Sequence, residues 1–284
     1  MGFKRHNLVL QAATPVAHQD TVTGIDNSSN IRLFMRQQML VNNIPARVPA
    51  LSENALRSVI FRNPLHDHLF QFLGINQGEL PQSVMNLLFS GGNMAAGSKA
   101  PANEIALGHA IKKLYPSMDL LGGAVDGFIL PRSRLRLAAW IVADEYADLI
   151  EMISPELAQE ARDTGSCFDL VQEETRTRGT GGESDGNQML YTYETLAAGT
   201  KLLVELTFDP HTPDATLGAA ALALQVWDGY LGGQSRQGRG RVGILKNELP
   251  EASAYMAHLE ENKDAMKAGL LDGTFGTGKV LCKV

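Results

Sequence analysis

"GGQSRQGRGRVGIL", residues 232–245, places five glycines and three arginines in fourteen positions. Glycine reaches positive φ and lets other groups approach the backbone closely. Guanidinium groups hold phosphate oxygens two at a time. Such a loop suits either a nucleotide cofactor or a nucleic acid backbone, and the flanking elements decide between them. Upstream, "TPDATLGAAALALQVWDGYL" (212–231) reads as a helix that Asp214 can cap, with Leu217, Ala220, Ala221, Leu224, Trp227 and Leu231 on one face. Downstream, "RVGILKNEL" (241–249) reads as a strand. Gly238 to Gly243 satisfies G-x-G-x-x-G, but a dinucleotide fingerprint follows a strand and opens a helix. Here the order is reversed, which sets the dinucleotide reading aside. A tight helix-to-strand turn and a loop laid along a phosphodiester chain remain. Three arginines are more than a turn needs, and they favour the second.

Working outward, "TKLLVELTFD" (200–209) is a strand. Residues 172–192, beginning "QEETRTRG", are polar and glycine-rich and read as a protruding hairpin or a flexible loop. "EYADLIEMISPELAQEAR" (145–162) is helical with a break near Pro155. Leu135, Leu137 and Ala139 alternate with Arg134, Arg136 and Ala138, the pattern of a half-buried strand. "PALSENALRSVIFR" (49–62) starts a helix with Ser52 as N-cap and Leu56, Val59 and Ile60 at helical spacing. Leu8 to Val16 forms a first strand. Residues 75–120 are mixed, with a glycine-rich break at 90–103 and a helical "EIALGHAIKKLY", and look like an insertion. The order is strand, helix, strands, then strand, helix, strand. That is an α+β, ferredoxin-like (RRM-like) palm interrupted by insertions. One domain is expected over residues 1–284. Its palm takes 1–62, 121–171 and 193–247, a helical finger insertion 63–120, the hairpin 172–192 and a C-terminal segment 248–284.

The chain of 284 residues has a net charge of -6, 44% hydrophobic and 20% charged residues, an ordinary globular composition. The acidic total does not forbid nucleic acid, because fields decay within roughly 8–10 Å and local clustering decides. Arginines cluster at 132–136, 176–178 and 236–241. Two cysteines, Cys167 and Cys282, far apart in sequence, build neither a metal site nor a disulfide framework. The N-terminus reads as a strand rather than a signal peptide, and no run approaches the ~20 apolar residues of a membrane span. A cytoplasmic protein is expected, which voids the glycosylation pattern at Asn27-Ser28-Ser29. Gly273 to Lys279 resembles a Walker A loop, but Val280 stands where Ser or Thr belongs. His66 and His68 are two apart and do not share a helix face, so no metal pair is expected there. His18 lies in a polar loop near Asp20, either solvated or against RNA.

Four stretches in order resemble the RAMP superfamily of CRISPR proteins: "VPALSENALRSVIFR", "LLGGAVDGFILPRSRLRL", "AAGTKLLVELTF" and "LGGQSRQGRGRVGIL". Within it the chain is similar to the backbone subunit of multisubunit effector complexes, most of all that of type IV systems. The resemblance implies an RRM-like palm, inserted fingers and a thumb hairpin at 172–192. It implies copies stacked as a helical filament along a guide RNA, which pairs with a target nucleic acid, together with other effector subunits. No cofactor is implied beyond the guide RNA as ligand, and no membrane. RNA contacts are expected to phosphate and sugar, so that any guide can bind. They fall on His18, Ser52, Asn54 and Arg57, on Arg134, Arg176 and Arg178, and in the loop on Gly232, Gly233, Arg236, Arg239 and Arg241. Glu53 beside a phosphate would be unfavourable unless turned away. The alternative is a type III-like subunit that also cuts target RNA. "GIDNSSN" resembles the loop bearing that activity, and Asp26 matches its aspartate, although Ser28-Ser29 departs from the family pattern. A loop aspartate also forms a simple Asx-turn.

Overall fold

The computed structural model describes residues 2–19, 31–89, 105–125, 128–130, 132–178 and 189–277. In chain order the strands are β1 (Lys4–Ala12), β2 (Ile31–Arg32), β3 (Arg36–Val41), β4 (Ile44–Pro49), β5 (Ala124–Val125) and β6 (Phe128–Ile129). They continue with β7 (Leu135–Ile141), β8 (Val171–Arg178), β9 (Met189–Leu196), β10 (Lys201–Phe208) and β11 (Val242–Asn247). The fold is mixed α+β around one four-stranded antiparallel sheet, ordered β11-β1-β10-β7. Numbered along the chain, these four strands lie 4-1-3-2 in space. Strand β1 starts four residues earlier than expected, at Lys4, and ends at Ala12.

One sheet face is apolar because the register aligns it. Leu8 and Leu10 of β1 face Val204 and Leu202 of β10, which face Ala139 and Ile141 of β7. All but Ala139 are almost completely excluded from solvent, and each large side chain so buried contributes roughly 1.5–3 kcal/mol. Two helices cover this face. One runs over 53–73, between β1 and β7 in the chain, as two α-segments joined by a wide π-turn at Arg57–Arg62. Ser52 caps it as expected, its Oγ accepting from Ala55 N at 3.3 Å. Gly74 ends it at φ 61°, the left-handed stop that glycine takes without strain. The helix runs unbroken through the expected palm–finger boundary at 62–63.

The second helix, Asp214–Val226, follows β10. Sequence spacing predicts one buried face and an Asp214 cap. Instead Pro213 is the N-cap, and nine residues from Thr216 to Leu224 are buried. The helix Ser253–Leu271 packs on it, and Gly218 permits that approach: a Cβ there would lie 3.0 Å from Tyr255 N. The second sheet face, with Val9, Leu203 and Trp140, carries the helix Pro155–Thr164. Lys201 and Lys246 reach its Glu160 (2.5 Å) and Glu156 (2.7 Å).

The hairpin expected at 172–192 has strands that reach beyond those bounds: β8 and β9 pair antiparallel from Val171↔Leu196 to Arg178↔Met189. Strands β3 and β4 form another, turned by Asn42 and Asn43 at φ 51° and 63°. Among the described residues no helix is long and apolar enough to cross a membrane.

Candidate nucleic-acid interface

The glycine loop is clamped onto the chain segment after β1. Gly233 N donates to Ala17 O at 2.7 Å, and Gly240 N to Pro15 O at 2.8 Å. The loop also closes on itself through Leu231 N and Gly240 O, 2.8 Å apart. Gly232 and Gly240 sit at φ +76° and +79°. A Cβ would lie 2.2 Å from Ala17 O in the first and 2.0 Å from Leu231 O in the second. These two glycines therefore serve protein-to-protein backbone approach. Gly238 and Gly243 have nothing within 4 Å of a Cβ position, and Gly233 only Ala17 O at 3.9 Å. Close approach of a ligand backbone is open at those three.

Between this loop and helix 53–73 runs a groove. Its first half, about 420 Å³, has an apolar floor of Leu51, Ala55, Leu56, Val59 and Leu231, with His18, Gln19, Arg32 and Gln234 as its polar groups. Its second half, about 450 Å³, adds Asn63, Asp67, His68, Gln71, Asp228, Tyr230 and Ser235. The halves share Val59 and Gly232. Among the described lining residues only the first half carries a guanidinium, on exposed Arg32, whereas the second carries two carboxylates. Burial raises the pKa of Asp67, against a hydrogen bond from Gln77 that lowers it. An anionic backbone is favoured along the first half, and hydroxyl or amine donors along the second.

His18 lies in the first half. Ser52 N donates to its Nε2 at 3.0 Å, and burial lowers its pKa. The imidazole is therefore neutral, with Nδ1–H as its remaining donor. Gly232 and Gly233 line the same half. Arg236, on the 3-10 turn Ser235–Gln237, and Arg241, at the foot of β11, are exposed. Asn54 is exposed in the first helical turn.

Three expected contacts, Arg57, Arg134 and Arg239, are turned to protein partners. Arg57 is turned to the sheet, its Nη2 donating to Leu135 O at 2.6 Å. Arg134 pairs with Asp119 at 3.2 Å and Asp209 at 3.8 Å. Arg239 is 3% exposed and paired with Glu174. Arg176 and Arg178 stand on β8, opposite Tyr191 and Met189. Asp26 lies outside the described residues, as do the Asn27 to Ser29 pattern and Lys279. His66, by contrast, is described and buried, and neither ring nitrogen finds a partner among the described residues. Its pKa falls to about 3 through burial and the nearby Arg62 charge, so it is neutral. Sequence reasoning missed Arg32, Gln234 and Tyr230. Arg32 is a lone arginine in "NIRLFM", and only the pairing of β2 with β9 brings it to the groove. Among the described residues, no three His, Cys, Asp or Glu side chains gather where they could hold a metal ion.

No family model and no curated protein matches the chain. Among solved structures, it shares its fold with a chain of a Type IV-B CRISPR complex at a TM-score of 0.59 and 17% identity, covering 90% of this chain and 98% of that one. The type IV likeness drawn from the sequence stretches is thus present in the fold. A chain of the Type III-B Cmr-beta complex bound to cognate target RNA is similar at a TM-score of 0.46 and 10% identity, over 88% of this chain and 61% of that one.

Proposed function

We propose that this chain is the guide-RNA-binding backbone subunit of a CRISPR ribonucleoprotein effector complex of the type IV kind. Copies of it would polymerise along the RNA and present it for target pairing. The observation that carries this reading is the fold shared over 90% of the chain with a Type IV-B CRISPR complex chain. The 4-1-3-2 strand order, with one helix after the first strand and one after the third, supports a ferredoxin-like palm within it. The helices between Gly74 and β5 correspond to fingers, and the β8–β9 hairpin to a thumb.

The groove supports the ligand. The sheet face that an ordinary RRM uses for base stacking carries the helix Pro155–Thr164 here. RNA is left the opposite route, between helix 53–73 and the glycine loop. Along it, Arg32 supplies a cation, Gly233 open backbone and His18 a neutral donor, while Arg236, Arg241, Gly238 and Asn54 stand exposed outside its lining. None of these groups requires a particular base, as binding of any guide demands. Each phosphate neutralised makes affinity more salt-dependent.

Purification from an expression host tests the reading. Large assemblies with high absorbance at 260 nm, which shed RNA as salt rises, are expected. A nucleic-acid-free monomer that binds a dinucleotide instead would overturn it.

A further inference from the structure

Arg239 sits in the most arginine-dense part of the loop, yet its side chain faces inward. Its Nη2 donates to Glu174 Oε2 on β8. Its guanidinium carbon lies 5.8 Å from the centre of the Tyr193 ring on β9, and that of Arg32 lies 5.6 Å from the same centre. Glu174 and Tyr193 are cross-strand partners in the hairpin. The other Glu174 oxygen accepts from Thr195 Oγ1 at 3.2 Å. The glycine loop, the hairpin root and β2 therefore meet at one buried cation. The backbone bridges the same parts: Val16 pairs with Leu196 of β9, and Ala17 with Gly233. Nε and Nη1 of Arg239 have no hydrogen-bond partner among the described residues. Glu174 and the Tyr193 ring face are what hold this charge.

We infer that Arg239 is a positioning residue. Through Glu174 and Tyr193 it fixes the hairpin root against the glycine loop, and it sets the path of the RNA without touching phosphate. This rests on the RNA-binding reading above. A guanidinium buried to this degree meets a ligand only by leaving Glu174, whereas Arg236 and Arg241 meet one where they stand.

The test uses fluorescent single-stranded RNAs of unrelated sequence, with dissociation constants measured over a series of salt concentrations. A lost phosphate contact lowers the slope of log K against log salt by about 0.7. Arg239→Ala and Glu174→Gln are each expected to weaken binding about tenfold at every salt concentration, with the wild-type slope retained. The double variant should be little worse than either single one. Arg236→Ala should lower the slope. If Arg239→Ala lowers the slope as Arg236→Ala does, Arg239 contacts phosphate and the inference is wrong. If Glu174→Gln tightens binding, the carboxylate competes with RNA for Arg239, and the inference is equally overturned. Should Arg239→Ala fold poorly, Glu174→Gln decides alone, because it keeps the side-chain shape. Wild-type protein that binds none of the RNAs would defeat the functional reading itself, and this inference with it, before any variant is compared.

Discussion

Two arginine-rich stretches, "PRSRLR" at 131–136 and "RQGRGR" at 236–241, look alike in the sequence and are used differently. In the first, Arg134 and Arg136 face carboxylates: Arg134 Nε is 3.2 Å from Asp119, and Arg136 Nη2 is 3.2 Å from Asp209. Lys112 joins at 3.1 Å from Asp119, and Thr216 donates to the other Asp119 oxygen at 3.0 Å. In the second, Arg236 and Arg241 stay exposed, and only Arg239 is drawn inward. Local density of arginine thus does not establish availability. What decides is whether folding brings a carboxylate from elsewhere in the chain. Asp119 and Asp209 are 15 and 75 positions away from Arg134, and no such acid arrives at Arg236 among the described residues.

The largest effect that would test this contrast is on stability. Asp119→Ala leaves Lys112, 7% exposed, and Arg134, 29% exposed, without their shared anion. Urea unfolding should show a loss of about 3–5 kcal/mol. A loss below about 1 kcal/mol would mean that solvent already screens the first cluster, and the distinction would collapse. Next comes Gly240→Ala, which forces a Cβ to within 2.0 Å of Leu231 O at positive φ. It should cost about 2–3 kcal/mol, showing that the second stretch is anchored by backbone packing even where Arg236 and Arg241 stay exposed.

His66, buried against Phe89, adds a third case, because this group is kept neutral rather than paired. Its folded pKa of about 3 lies below the unfolded value of 6.5. As pH falls below 6.5, the unfolded chain takes up a proton that the folded chain refuses. His66 therefore costs nothing above that pH, and stability falls by about 1.4 kcal/mol per pH unit as it drops towards 3. His66→Gln should flatten that slope between about pH 6 and pH 4.5, roughly a 2 kcal/mol difference in unfolding free energy. An unchanged slope would place the acid sensitivity elsewhere. The smallest stability effect is expected from Arg236→Ala, within about 0.5 kcal/mol of wild type, although its RNA affinity should fall and its salt slope drop by about 0.7. Arg134→Ala should do the reverse. A shallower salt slope in Arg134→Ala would mean that Asp119 and Asp209 do not withhold this arginine from RNA.

Much of the architecture was legible because local pattern and global position agree. Alternation in Leu135–Ile141 and Lys201–Phe208, and Ser52 before the Leu56, Val59, Ile60 spacing, each point to the element that forms. The Asn42-Asn43 pair is a strong hairpin-turn signal in hindsight, since both residues tolerate positive φ. The Asp214–Val226 helix was harder. Its alanines read as one apolar face, yet the sheet, helix 53–73 and the helix Ser253–Leu271 enclose it almost all round, and no single-sequence period registers two further packing partners. In the interface, the glycine loop was visible and so was the helix that opposes it. The inward turns of Arg57, Arg134 and Arg239 were not, because their partners Leu135, Asp119 and Glu174 are 78, 15 and 65 positions away.

The order of strands and helices and the chemistry on offer in the loop are local properties of the chain, because periodicity, caps and residue type act over a few neighbouring positions. Which arginines remain open, why Gly232 and Gly240 must be glycine, and that Arg32 and His18 share a groove emerge in the folded arrangement alone. Those outcomes depend on electrostatic pairing and close backbone approach between segments that meet only when the sheet closes.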